Sequence, residues 1–346
     1  PELAAALDAM SERLLDLHRR QVPVPWEDER DGVRFGETVR PVWAAGCYVP
    51  GGRAAYPSSV LMTTAPARAA GVERVVLCPP PAQDGSVPDA VLYAARAGAA
   101  HEVFRIGGAQ AIGAMAFGTE TVPAVDTIAG PGNVWVTAAK REVMGTVGVD
   151  ALAGPTELAI VADGTADPSV LAVDLVAQCE HDPMARTTLI ALDPGLPGAI
   201  EGPLAAELEA SPRGEVVRAA LEHAVAVLAP DEDAAASVVD ALAPEHLQVV
   251  TGDPRGFLSR VRSYGAAFLG PHTAVTLGDY GVGSNHVLPT MATARFASGL
   301  RAAHFVTVSS WTQASPEGAA RFGPEVEAVA RAEGLDAHAR ASEVRR

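Results

Sequence analysis

Four short stretches place a histidine among carboxylates: VAQCEHDP (176–183), APEHLQ (243–248), GDYGVGSNHVLPT (278–290) and EGLDAH (333–338). Imidazole titrates near neutrality and carboxylate oxygens bind cations, so such groupings suit a zinc site or general acid–base work. In the first stretch Gln178 and His181 are i, i+3 neighbours on one helical face, whereas Glu180 points about a third of a turn elsewhere. Residue chemistry alone selects His181, His246, Asp279 and His286 around one metal, with Glu180 preferred to Gln178 because a neutral amide is a weak ligand. Cys179 beside a candidate ligand has two readings, a thiol nucleophile or a small core filler, and the second is the expectation. His18, His101, His223, His272 and His304 have no comparable neighbours and read as ordinary core or surface histidines. Two glycine turns, in FRIGGAQAIGAMAFG (104–118) and AGPGN (129–133), stand where a strand passes into a helix; each either meets a phosphate with its N–H groups or closes a tight turn. GxGxxG, GxxxxGKS/T, HExxH and GxSxG are absent from the sequence.

These residues need elements to hold them. Residues 1–20 put Leu3, Leu7, Met10, Leu14 and Leu17 on one helical stripe, and an extended, Gly- and Pro-punctuated stretch follows. Strand and helix then alternate: a helix over 57–70 closed by Gly71, strand RVVLC, a helix over 88–97, strand EVFRIGG, a helix over 109–117, strand DTIAGPG, a helix over 134–144 and strand ELAIVAD. The second half repeats the style. A helix capped by Asp167, opened by Pro168 and ending at His181 leads to TTLIAL, helices across 197–223, AVAVLAP, a helix over 231–242, LQVVTG, a helix over 254–263 and AAFLG. This alternation predicts an α/β fold of two lobes with parallel sheets and right-handed crossovers. Residues 271–300 show no helical period, as functional loops do. The tail 324–343 reads as a helix with a weak apolar stripe, expected to pack on something other than its own lobe.

The 346 residues suit about two domains and a chain that buries roughly three quarters of its unfolded surface. A net charge of −16 repels phosphate backbones and anionic lipid, so neither nucleic acid nor membrane is an expected partner. Cys47, Cys78 and Cys179 form no CxxC pair, which points to a reducing cytoplasm. No signal peptide or membrane-spanning run is visible, and the missing initiator Met reads as a chain that begins inside a longer protein. Lys140 is the only lysine, a bias attributed to genome composition.

Eight motifs in order, YVPGGRAAYPSSVLM, FRIGGAQAI, AGPGNVWVTAAKREV, DALAGPTEL, AQCEHDP, APEHLQ, GDYGVGSNHVLPT and GLDAH, resemble the histidinol dehydrogenase family from about residue 20 to the end. The resemblance implies one zinc per subunit and two NAD in the oxidation of an amino alcohol, L-histidinol, through the aldehyde L-histidinal to L-histidine, the last step of histidine biosynthesis. It implies that zinc is bound by Gln178, His181, Asp279 and His338. It makes His246 the base for the hydroxyl proton and Glu245 the activator of water. Substrate contacts carry over to Thr156, His286 and Glu333 beside the zinc ligands and His246, and cofactor contacts to Tyr48, Gln110 and Asn133. The implied fold is two incomplete Rossmann-like lobes plus a helical C-terminal tail exchanged within a homodimer. The boundaries expected on this basis are 1–47 with 156–300 for the first lobe, 48–155 for the second, cofactor-binding lobe, and 301–346 for the dimerisation tail. Family members carry dozens of residues before the position of Pro1, so the first lobe is expected to be truncated at its N-terminus. Two departures bear on substrate: Thr156 stands where Ser is usual, and Thr307-Val308 where a basic pair is common. The alternative is a paralogous zinc-dependent dehydrogenase for another alcohol such as a sulfonated diol. A non-catalytic metal-binding scaffold is the third reading.

Overall fold

The computed structural model describes residues 1–51 and 55–346; Gly52, Arg53 and Ala54 of the YVPGGRAAYPSSVLM motif lie outside the described residues. The chain forms two compact units, one of Pro1–Gln21 with Trp43–Phe305 and one of Val22–Val42 with Val306–Arg346. Helix α1 (Glu2–Arg19) belongs to the first unit, and strands β1 (Trp26–Arg30) and β2 (Val33–Pro41) to the second.

The first unit continues with β3 (Ala44–Tyr48), α2 (Pro57–Ala70), β4 (Arg74–Cys78), α3 (Asp89–Ala97), β5 (Glu102–Val103), α4 (Gly108–Phe117), β6 (Thr127–Ala129), α5 (Val134–Val143) and β7 (Gly148–Val149). These strands pair in parallel in the order β5-β4-β3-β6-β7. A second lobe follows: β8 (Glu157–Ala162), α6 (Pro168–Cys179), β9 (Arg186–Ala191), α7 (Leu196–Ala210), α8 (Gly214–Leu221), β10 (Val225–Leu228), α9 (Glu232–Leu242), β11 (His246–Val250), α10 (Pro254–Leu258), β12 (Ala266–Leu269) and α11 (Val275–Asp279). Its order, β10-β9-β8-β11-β12, is the same winding and again parallel. Each sheet starts in the middle, runs to one edge, then reverses, which is the doubly wound order short of a sixth strand. The expected pair of incomplete Rossmann-like lobes is therefore what the chain forms.

Local chemistry explains the elements. Asp167 accepts the N–H of Ser169 as N-cap of α6, with Pro168 supplying the preset φ of the first turn. Gly71 ends α2 with φ 86°, a conformation a Cβ disfavours. Strand β11 is buried along its whole length, as a central parallel strand covered on both faces must be. Alternate residues feed two cores: Leu158 and Ile160 pack with Leu171 and Leu175 of α6, while Ala159, Val161, Leu247 and Val249 pack with Val239 and Phe257. Each such Leu or Ile contributes roughly 1.5–3 kcal/mol by leaving water.

In the second unit β13 (Val306–Ala314) pairs antiparallel with β2, which pairs with β1, and α12 (Pro316–Ala332) and α13 (Asp336–Glu343) follow. The β1–β2 hairpin turns on Asp31 and Gly32, both at positive φ, as a two-residue primed turn demands. The grouping differs from the expected one at both ends. Strand β3 is the centre of the 44–149 sheet and α1 packs on α2 and α3 of that lobe, while residues 22–42 pair with the tail. Among the described residues no helix is long and apolar enough to cross a membrane.

Candidate active site

A cleft of about 250 Å³ in the first unit is lined by Pro50, Tyr56, Ser59, Pro131, Gly132, Thr156, His181, Glu245, His246, Asp279, Tyr280 and His286, among others. Pro50 follows β3, and Pro131 and Gly132 follow β6, so the first lobe meets the cleft with the C-terminal ends of its two central strands, at its switch point. Thr156 precedes β8, His181 precedes β9 and Glu245 precedes β11, so the second lobe presents the N-terminal ends of its strands. His181, His246, Asp279 and His286, grouped from residue chemistry alone, all line this one cleft.

Glu245 and His246 sit at the start of β11 and are nearly inaccessible to solvent. The Thr156 hydroxyl (2.6 Å) and the Glu157 N–H (3.0 Å) both donate to Glu245 Oε2, which leaves Oε1 free to take a proton. Burial pushes the Glu245 carboxyl up to about 7, against the hydrogen bonds from Thr156 and Glu157. His246 Nδ1 lies 3.1 Å from the Glu157 carbonyl oxygen, an acceptor only, so Nδ1 carries the hydrogen and Nε2 the lone pair. That Nε2 is buried without a hydrogen-bond partner and stands 3.8 Å from Asp279 Oδ1. Burial lowers the His246 pKa, so the ring is neutral.

Gln178, in the last turn of α6, donates its amide nitrogen to Thr156 Oγ1 at 2.5 Å. A chain Gln178–Thr156–Glu245 thus joins α6 to β11. Helix α6 ends at Cys179, so His181 lies two residues past it, on the turn whose N–H returns to the Gln178 carbonyl. Part of His181 is open to solvent, yet surrounding atoms and then His246 depress its pKa. Asp279 ends α11 and its carboxyl is raised by burial. His286 donates Nδ1–H to the Asp279 carbonyl (3.0 Å) and accepts from Ser59 Oγ at Nε2 (3.3 Å); burial pushes its pKa down to about 4.

The Glu180 carboxylate, preferred on residue chemistry, accepts from Ser211 Oγ, whereas Gln178 reaches Thr156 of the cleft; neither Glu180 nor Gln178 itself lines the cleft. Cys179 is fully buried among Val176, Ala185, Val217 and Ala220, and burial pushes its thiol up to about 11. Sequence reasoning offers no reason to single out Glu157, whose backbone carbonyl fixes the His246 tautomer, because any residue has a carbonyl. Ser59 is carried by a quoted motif but has no local signal of its own.

The cofactor candidates Tyr48, Gln110 and Asn133 all sit on the lobe built on the 44–149 sheet, the one expected to bind the cofactor. The Tyr48 hydroxyl accepts from Gly108 N–H at the start of α4 (3.2 Å), and Gln110 is exposed on the same turn. Asn133 caps α5 by accepting from Trp135 and Val136 N–H, both 3.1 Å, which leaves its amide NH₂ outward on an exposed residue. Between them, a Cβ at Gly130 would collide with the Tyr48 carbonyl and one at Gly132 with Val136. Gly130 and Gly132 thus flank Pro131 in a turn closed on the protein's own Tyr48 and Val136, just ahead of the N-terminus of α5.

Among the described residues no group of three or more His, Cys, Asp and Glu closes into a metal site. The ligand set implied by resemblance draws on His181, Asp279 and the amide Gln178 in the first unit, and on His338 in the second, where His338 and Glu333 are both exposed. With the Gln178 nitrogen committed to Thr156, its carbonyl oxygen is the atom left for a cation. Imidazole nitrogen, carboxylate oxygen and amide oxygen fit zinc in kind, and a fourth donor would be needed to complete a tetrahedral shell.

The family profile described as histidinol dehydrogenase matches residues 1–346. A histidinol dehydrogenase of Moorella thermoacetica is 46% identical over 347 residues, covering 100% of this chain and 82% of that protein. One of Methanothermobacter thermautotrophicus is 46% identical over 341 residues, covering 98% of this chain and 80% of that protein. The crystal structure of histidinol dehydrogenase from Elizabethkingia anophelis superposes with a TM-score of 0.97 at 34% identity, covering 100% of this chain and 80% of that one.

Proposed function

We propose, because the chain belongs to the histidinol dehydrogenase family of NAD-dependent oxidoreductases, that it oxidises L-histidinol through L-histidinal to L-histidine, with two NAD and one zinc per subunit, as the last step of histidine biosynthesis. The observation that carries this reading is His246 Nε2: a buried lone pair in the cleft with no protein partner, on a neutral ring whose other nitrogen is anchored. An orphaned acceptor in a cleft calls for a donor brought by a bound molecule.

His246 takes the hydroxyl proton in the alcohol step, a role that supplies about 10²–10⁴-fold. His246 then releases that proton to solvent; Glu245, poised near neutrality, takes a proton from water as it adds to the aldehyde carbon, and His246 takes the remaining hydroxyl proton of the anionic adduct as hydride leaves its carbon to give the carboxylate. The opposite shifts leave both adjacent groups able to accept a proton near neutrality. When bound, NAD supplies the two hydride acceptors and zinc draws electron density from the substrate. Gln178, His181 and Asp279 would hold the metal together with His338 of the partner subunit. Thr156 retains a lone pair for a substrate ammonium, with His286 and Glu333 as further contacts. Tyr48, Gln110 and Asn133 would hold NAD. The three free, buried cysteines support a reducing, cytoplasmic setting.

The test is the stoichiometry of NADH formed with L-histidinol, simple diols and sulfonated diols. The reading expects two NADH per L-histidinol and the highest kcat/KM for it. Preference for a sulfonated diol would install the paralogous dehydrogenase instead. Chelator treatment should abolish turnover, restored by zinc; full turnover in verified metal-free protein would remove the metal from the reaction.

A further inference from the structure

Lys140 is the only lysine among 26 basic residues, and it is buried. Its Nζ donates to the Gly130 carbonyl (2.6 Å) and to Asp150 Oδ1 (2.5 Å), and Asp150 Oδ2 accepts the Gly130 N–H (2.7 Å). One buried ion pair thus grips both polar groups of a single residue; the two side chains are 3% and 2% exposed. Gly130 begins the turn to Asn133, has φ 129°, and cannot carry a Cβ because the Tyr48 carbonyl occupies that space. Its neighbours Pro131 and Gly132 form a wall of the cleft.

Breaking a buried pair costs several kcal/mol, whereas matched apolar replacements often match its stability, so stability alone is a weak reason for charges here. An arginine, the choice at every other basic position, brings five donors in a planar fork to a site with one carbonyl and one carboxylate oxygen. We propose that Lys140, with Asp150, is a positioning residue that sets the Gly130–Asn133 turn for the cofactor. The inference rests on the reading that NAD lies against this turn.

The first measurement uses the wild-type enzyme. With one lysine, every side-chain amine signal belongs to Lys140, so an amine-reactive reagent should leave it unmodified in the native state and modify it after denaturation. On long exposure, saturating NAD should slow the rare native labelling of Lys140 by the amine reagent more than that of Cys179, in the other lobe, by a thiol reagent. Native labelling at the rate of a free amine, or equal slowing of both, overturns the proposal.

The second measurement is NAD affinity by calorimetry. Lys140→Met and Lys140→Arg should each raise the NAD Kd and KM roughly tenfold or more, with kcat and the L-histidinol KM changed far less. Because single variants can unfold with an unpaired buried charge, Lys140→Met/Asp150→Leu replaces the pair with apolar residues; it should still fold, melting somewhat below wild type because Gly130 loses both partners, and bind NAD weakly. Wild-type affinity in that folded double variant, or in Lys140→Arg, overturns the positioning role. Failure of the wild-type enzyme to bind NAD would instead defeat the functional reading, whatever the variants do.

Discussion

Glu245 and His246 are neighbours in sequence, yet the same burial moves them in opposite directions, the carboxyl up to about 7 and the imidazole down, because burial favours the neutral form of each. Both therefore stand ready as bases near neutrality. If Glu245 activates water, aldehyde oxidation falls as pH drops through about 7, where the carboxyl becomes protonated. Glu245→Gln should remove that acid limb and slow L-histidinal oxidation by about 10²-fold or more, leaving the L-histidinol half-reaction much less affected. Equal losses in the two half-reactions, measured separately with supplied aldehyde, would mean the division of labour is wrong. Cys179 should be a filler: with a buried, protonated thiol packed beside Val217 and Ala220, Cys179→Ser should keep most turnover. A covalent substrate adduct trapped on that sulfur would reverse the assignment. At this scale residue type was informative, because imidazole and carboxylate are scarce in apolar surroundings. The partners of Gln178 and Glu180 were not legible, because ligand strength judged in isolation says nothing of which neighbour each side chain meets, Thr156 for the one and Ser211 for the other.

The elements that carry the site are tied by a second buried polar contact. Gln248, two residues into β11 from His246, donates to Asp174 Oδ2 of α6 at 2.6 Å, and Asp174 lies one turn before Gln178. This contact fixes the helix bearing Gln178 against the strand bearing His246. Gln248→Leu would strand a carboxyl whose pKa burial already raises, and should cost about 1–3 kcal/mol in urea unfolding while lowering bound zinc per chain. Unchanged stability with unchanged zinc content would deny the contact both roles. Elements with local signals were legible in the sequence: α6 carries its Asp167 cap and Pro168, and α2 its terminal Gly71. Three were not. Strand EVFRIGG shortens to Glu102–Val103 because an edge strand has one partner and its glycines already turn toward α4. Helix α11, which ends in Asp279, spans five residues, too few to show a period. The pairing of 33–41 with 306–314 joins segments far apart in sequence, for which no local pattern exists.

At the scale of the whole molecule the expected site residues divide between units: the metal ligands Gln178, His181 and Asp279 belong to the first, the ligand His338 and the substrate contact Glu333 to the second. The second unit has its own sheet and two helices, but Phe322 and Val326 line an apolar groove of about 450 Å³ and Val329 and Leu335 are exposed. A small unit with that much uncovered apolar surface is poorly finished as a free-standing body. Exchange of such a piece is a low-cost route to a symmetric dimer, and it would let His338 of the partner subunit supply the donor that the first unit lacks. The expected test is complementation. His338→Ala chains and His181→Ala chains should each be inactive alone. In a heterodimer of the two, one site combines an intact first unit with an intact His338 from the other chain, and the remaining site lacks both residues. Activity should return to at most half of the wild-type value per heterodimer, with zinc content rising in step. Mixed dimers verified by mass that stay inactive and metal-poor would show that each chain must complete its own site, and the exchanged tail would lose its function.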